Sequence, residues 1–234
     1  MICPRYNEAM DDPLLRRRAP DILPDLLRPG LDLVICGTAA GAISAARGAY
    51  YANPGNRFWS VLAETGLTPH RFRPEEFPRL TALGIGLTDV CKSAAGQDDS
   101  LPREGFDRAR LAAAMRHHRP RLLAFNSKRA AAEFLGLPTG RIPYGPVTLD
   151  PALPDLPPIV VLPSTSGLAC RAWDAAPWRA MAALVLAWRA APNLGNNLGN
   201  SLGNSLGDPV RPRAMRQSSV SSPRLWAPPW SAEA

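Results

Sequence analysis

Leu31-Asp32-Leu33-Val34-Ile35-Cys36, followed at once by Gly37-Thr38-Ala39-Ala40-Gly41, is the stretch whose reading decides the fold. A short apolar run of this kind reads as a buried strand. The small residues after it let backbone amides approach a ligand closely. Their spacing matches neither the dinucleotide fingerprint nor a P-loop, so a nucleotide cofactor is a poor reading and a plain tight turn an equal one.

Working outward, strands and helices alternate. Asn56 to Thr65 reads as a helix, Gly84 to Thr88 as a short strand, and Phe106 to His118 as a second helix. Arg121 to Asn126 is an apolar strand, Ser127 to Leu135 a helix, and Ile159 to Leu162 another strand. Trp178 to Arg189 closes the pattern as an amphipathic helix with Met181, Leu184, Val185 and Trp188 on one stripe. Such alternation implies an α/β fold, a three-layer α/β/α sandwich around a central, mainly parallel, four-stranded sheet.

The 234 residues suit one core. Residues 1–20, which include Arg16, Arg17 and Arg18, read as a loose arm, and 21–192 as the domain. Beyond Pro192 come four tetrapeptides, Asn193 to Asn196, Asn197 to Asn200, Ser201 to Asn204 and Ser205 to Asp208. One Leu per unit buries too little to offset the entropy of ordering, so 193–234 reads as a low-complexity basic tail expected to be disordered.

Lys and Arg number 27 against 20 Asp and Glu, a net charge of +7, which leans toward a polyanionic partner. A solvated surface is the favoured reading of the charge unless motifs overturn it. Cys3, Cys36, Cys91 and Cys170 lie far apart with no Cys-x-x-Cys pair, so neither a metal nor another cofactor is expected, and the thiols should be reduced. The longest apolar stretch, near Met181 to Trp188, is far below a membrane span. A soluble, monomeric, cytoplasmic protein is expected, nucleoid-associated in a bacterium.

Three segments carry candidate chemistry, and in a parallel sheet all would sit just past the carboxyl ends of strands, where such folds place ligands. The first is the Gly37 to Gly41 loop with Tyr50-Tyr51-Ala52-Asn53-Pro54-Gly55-Asn56-Arg57-Phe58-Trp59. Its aromatic pair and rigid turn make a wall for a flat ring, with Phe58 and Trp59 assigned to the core. The second is Gly84-Ile85-Gly86-Leu87-Thr88-Asp89, and the third Leu162-Pro163-Ser164-Thr165-Ser166-Gly167-Leu168. Between them lies Phe125-Asn126-Ser127-Lys128, where Asn126 or Ser127 would cap the following helix.

Together, from about Asp32 to Arg189, these motifs resemble the uracil-DNA glycosylase superfamily, close to the mismatch-specific uracil and thymine-DNA glycosylases. The resemblance implies base-excision repair by flipping and hydrolysis, on DNA carrying uracil or another deaminated base, single- or double-stranded. It implies that Gly37, Thr38, Ala39, Tyr51 and Asn126 surround the base, Tyr51 stacking on it. Asp89 takes the variable pocket position after Gly-x-Gly-x-Thr, and Leu168 the wedge position. Ser164, Ser166, Gly167 and Arg171 would meet the DNA backbone, with Arg57 a weaker candidate.

The first motif of that family usually supplies an Asn that holds the attacking water, and Ala39 stands there instead. Asp89 is the candidate to position water in its place, with backbone amides near Thr38 and Tyr51 stabilising the leaving base. The alternative for Asp89 is a strand-end residue that only caps the turn before Cys91. No Lys is placed as a Schiff-base nucleophile by a matching motif, Lys92 and Lys128 being the two to check, so an abasic product without strand cleavage is expected. Rival readings are a glycosylase for hypoxanthine or xanthine, and a non-catalytic reader of damaged or single-stranded DNA. A serine hydrolase is weak, since no Gly-x-Ser-x-Gly elbow occurs.

Overall fold

The computed structural model describes residues 20–147 and 155–190. The chain divides into two units, Met1–Val185 and Leu186–Ala234, and the sheet and cleft belong to the first. The arm at 1–19 and the repeats at 193–234 lie outside the described residues.

Five strands form one sheet: β1 (Leu33–Gly37), β2 (Ile85–Asp89), β3 (Leu123–Phe125), β4 (Gly145–Val147) and β5 (Ile159–Val161), in the order β2-β1-β3-β5-β4. The four strands legible in the sequence pair in parallel, with Gly37 beside Asp89, Cys36 beside Phe125 and Phe125 beside Val161. Every residue of these four is buried, as expected where both faces of a parallel sheet are covered. The fifth strand, β4, was not anticipated. Gly145-Pro146-Val147 carries almost no strand signal, yet it runs antiparallel to β5 at the edge, where a proline is tolerated.

Among the described residues five α-helices flank the sheet: α1 (Ala42–Arg47), α2 (Phe58–Glu64), α3 (Arg108–His118), α4 (Lys128–Leu135) and α5 (Ala176–Ala190). Alternation along the strands sends Val34, Cys36, Leu123, Phe125, Ile159 and Val161 to one side, where they join Leu111 and Met115 of α3 and Ala130, Ala131 and Phe134 of α4 in one cluster. Phe58 of α2 and Trp178 of α5, both fully buried, meet edge to face at 6.2 Å. The helix at α4 begins where the sequence suggested, and Ser127 is the cap: its Oγ accepts the Ala130 N–H at 2.9 Å. Asn126 is thereby left for another role.

The outer edge of β2 is covered by the segment that opens the domain. Leu26 and Leu87 exchange both backbone hydrogen bonds, at 2.9 and 3.1 Å, while Leu23 is buried. A side chain at Gly86 would strike the Leu26 carbonyl and the Leu31 side chain, so only glycine admits this strap. The strap has a consequence for the site, because it delivers Asp25 to the end of β2, where Thr88 donates to its Oδ1 at 2.6 Å.

Candidate active site

β1 is followed by β2 on one side and flanked by β3 on the other, so the chain changes direction across the sheet at β1. Open α/β sheets bind ligands at such a switch, outside the carboxyl ends of the strands. Here those ends deliver Gly37, Asp89 and Asn126, and the loop after β5 delivers Ser164 to Leu168. They enclose a cleft of about 810 Å³, lined by Gly37, Thr38, Ala39, Tyr51, Asp89, Asn126, Ser164, Ser166, Gly167 and Leu168. The site residues picked from the sequence are therefore on its wall, except the weaker candidate Arg57 and Arg171, which falls in the 3-10 segment Gly167–Ala172 and whose side chain is not described.

Asp89 lies on the floor, 2% exposed. Gly37 opposite it is required by contact, since a Cβ there would stand 2.5 Å from Asp89 Oδ1 and 3.2 Å from the Tyr51 hydroxyl. Burial pushes the Asp89 carboxyl up to about 6, and the Lys92 ammonium, 3.8 Å from Oδ2, restrains the rise. Lys92 is itself fully buried: its Nζ donates to the Tyr50 hydroxyl at 2.8 Å and pairs with Asp25 Oδ1 at 3.1 Å. Arg110 closes the network, bonding Asp25 Oδ2 at 2.7 Å and donating to the Asp89 carbonyl. Asp89 thus keeps its carboxylate for the cleft, and the charge behind it is balanced by groups outside the cleft.

Tyr51 is held in the left-handed backbone region, φ 52°, an uncommon conformation for an aromatic residue. One face of its ring stacks on Phe58 at 3.8 Å and 21°, leaving only the other to face a base. The hydroxyl is buried and has no hydrogen-bond partner. Burial first, then the Asp89 charge, pushes this phenol well above its usual range against a smaller pull from the Asn126 amide, whose approach is too poorly aligned to count as a hydrogen bond, so it stays protonated.

Asn126 does not cap a helix. Its Nδ2 donates to Thr165 Oγ1 at 2.9 Å and its Oδ1 accepts the Thr165 N–H at 3.1 Å, which pins the third motif to the end of β3. The Arg57 N–H reaches the Thr165 carbonyl at 2.9 Å, joining that loop to the first motif as well. Arg57 Nη1 is buried and unpartnered, its guanidinium 5.5 Å from the Trp173 ring. Thr38 Oγ1 lies 3.3 Å from Ser127 Oγ.

The lip is formed by a turn in which Ser164 Oγ accepts the Ser166 N–H at 3.3 Å and Ser166 Oγ accepts the Leu168 N–H at 3.4 Å. Gly167 packs against the Gly55 carbonyl, where a Cβ would come within 3.0 Å. At the tip, Leu168 is 80% exposed, the most solvent-accessible of the large hydrophobic residues described.

With this geometry in place, residues 24–186 match the family model of the uracil DNA glycosylase superfamily. The chain belongs to that superfamily. Members of the uracil DNA glycosylase superfamily act on DNA, and this protein is accordingly a DNA glycosylase. Its structure is also similar to the solution NMR structure of a candidate uracil DNA glycosylase from Methanosarcina acetivorans, at 23% identity and a TM-score of 0.46, over 70% of this chain and 96% of that one.

Sequence reasoning missed several parts of the glycosylase site. Asp25 and Arg110 lie far from any motif and reach Asp89 only through the strap and α3. Asp98, on the cleft wall, was also passed over. Lys92 had been noted only as a nucleophile to check. Among the described residues no group of His, Cys, Asp and Glu side chains is gathered to hold a metal ion, and no helix is long and apolar enough to cross a membrane.

Proposed function

We propose that this glycosylase hydrolyses the N-glycosidic bond of uracil in DNA and leaves an abasic site. The observation that carries the reading is the buried Asp89 carboxylate on the floor of the cleft, in a chain whose first motif has Ala39 where the family resemblance calls for a water-holding Asn. A carboxyl poised near 6 is ionised at neutral pH yet basic enough to accept a proton.

The target nucleotide leaves the stack and its base enters the cleft, at a cost of a few kcal/mol. Water, oriented by Asp89, attacks the sugar carbon as the bond to the base nitrogen breaks. The electron pair departs with uracil, and the water proton passes to Asp89. The negative charge on uracil needs donors. The N–H groups of Thr38 and Tyr51 make no backbone hydrogen bond within the described fold, which leaves them for the pyrimidine oxygens.

Leu168 fills the space the base vacates. Ser164 and Ser166 use their oxygens within the turn, which frees both hydroxyl hydrogens for flanking phosphates. Lys92 is sequestered behind the floor, and Lys128 Nζ lies 4.5 Å above the Tyr144 ring, so neither is presented as an amine nucleophile. This supports hydrolysis without strand cleavage.

The test uses labelled oligonucleotides with uracil in single strands and opposite G or A, treated with alkali after incubation. Cleavage at uracil is expected. A cleft of about 810 Å³ with no Asn side chain at position 39 also accommodates a deaminated purine, so hypoxanthine and xanthine form the second reading. Cleavage confined to those bases would replace uracil as the substrate, and tight binding with no cleavage of any of the three would make the protein a reader.

A further inference from the structure

We infer that the Tyr51 hydroxyl is a catalytic group, the second hydrogen-bonding partner of the attacking water that Asp89 orients. This rests on the proposed glycosylase reaction and adds a role for the one polar tip of the floor that the reaction leaves unused.

Three observations converge. The hydroxyl is fully buried and unpartnered, whereas buried polar groups in folded proteins nearly always find a partner. The neighbouring amide, Asn126, spends its oxygen and one Nδ2 hydrogen on Thr165, and can offer the phenol only a donor, which leaves the Tyr51 hydroxyl hydrogen without an acceptor. And the phenol and Asp89 Oδ1 flank the same open point beside Gly37: a Cβ placed there would stand 3.2 Å from one and 2.5 Å from the other. The two oxygens are thus no farther apart than the sum of those distances, a gap that one water bridges.

The chemistry of the pair is complementary. Tyr51, kept protonated by burial, donates to the water oxygen, while the Asp89 carboxylate accepts a water hydrogen and later the proton. One donor and one acceptor fix a water in two directions, which is what the side-chain amide of an Asn provides from a single residue. Tyr51 is held in this position by Phe58, which buttresses the ring at 3.8 Å. Stacking on a base uses the ring alone, so the hydroxyl separates the two roles.

Tyr51→Phe keeps the ring and removes only the hydroxyl. Its single-turnover rate on uracil-containing DNA should fall about a hundredfold, as loss of one well-placed transition-state hydrogen bond does elsewhere. Affinity for the same DNA and the thermal midpoint should stay near those of the unaltered protein. Because Tyr51→Phe adds no atom and removes a hydroxyl that makes no well-aligned hydrogen bond, it is expected to fold as the unaltered protein does. A Tyr51→Phe rate within twofold of the unaltered enzyme overturns the inference while leaving the glycosylase reading intact. An unaltered protein that removes no base overturns both.

Discussion

At the floor of the cleft, polar tips are buried and charges are pressed together: Asp89 is 2% exposed, with Lys92 fully buried behind it. At the lip, Leu168 stands 80% exposed on a turn held by two serine hydroxyls. Each arrangement is unfavourable for a chain folding alone. The floor retains a carboxylate in a place that disfavours its charge, and the lip keeps an apolar side chain in water. On the proposed reaction both find their use when DNA arrives, the floor by setting its carboxylate on a water, the lip by inserting Leu168 into a stack. The difference teaches where to look for chemistry and where for substrate capture, and it can be broken at either end.

The largest effect belongs to the floor. Asp89→Asn should lower the single-turnover rate about a thousandfold, within the range that a positioned general base contributes. The same substitution should stabilise the protein. From the ordinary carboxylate value of 3.8 up to about 6, the folded protein holds a proton that the unfolded chain has lost. Folding stability therefore declines as pH rises through that window, and ionised Asp89 costs up to about 3 kcal/mol above it. Asp89→Asn should match the unaltered protein near pH 4 and exceed it at pH 7.5, as read by denaturant unfolding at both values. Loss of stability at pH 7.5 would show that Asp89 is a structural carboxylate and that the floor is not strained.

A smaller effect sharpens the same point. Lys92 lowers the Asp89 pKa, so Lys92→Met should move the acidic limb of the rate profile upward by about one pH unit. Part of the lost rate should return at higher pH. An unmoved limb would mean that Lys92 serves Tyr50 and Asp25 alone.

The legibility of floor and lip in the sequence differed for physical reasons. β1, β3 and β5 could be read because strands buried on both faces are continuous apolar runs, β2 from the shorter apolar signal of Ile85 and Leu87, and the lip because Ser164 to Leu168 is contiguous. Asp89 was visible as the residue ending β2. Its network was not: Asp25 arrives on a strap that pairs with Leu87 across the sheet edge, and Arg110 projects from α3, so neither lies near Asp89 in the chain. Asn126 lines the cleft, where the sequence favoured a helix cap at Asn126 or Ser127, and its bond to Thr165 joins two motifs that no local pattern links. Pro146 hid β4, and the small residues of Ala42–Arg47 concealed α1. Contiguous chemistry is written in the sequence, whereas chemistry assembled across the sheet appears only once the fold has brought its parts together.

The smallest effect is expected at the lip. Leu168→Ala removes side-chain surface that is already in water, so its stability should change by no more than about 0.5 kcal/mol. Its consequence should appear only where a base must be drawn from a stack. On duplex DNA with uracil opposite A, where pairing resists extrusion most, the single-turnover rate should fall about tenfold, since filling the vacated space slows the return of a base whose extrusion costs a few kcal/mol. Opposite G the loss should be smaller, because the mispaired base leaves more easily, and on a single strand smaller still. Equal losses on all three would mean that Leu168 contributes general DNA contact and no wedge; the lip would then act as a binding surface, with flipping left to the floor.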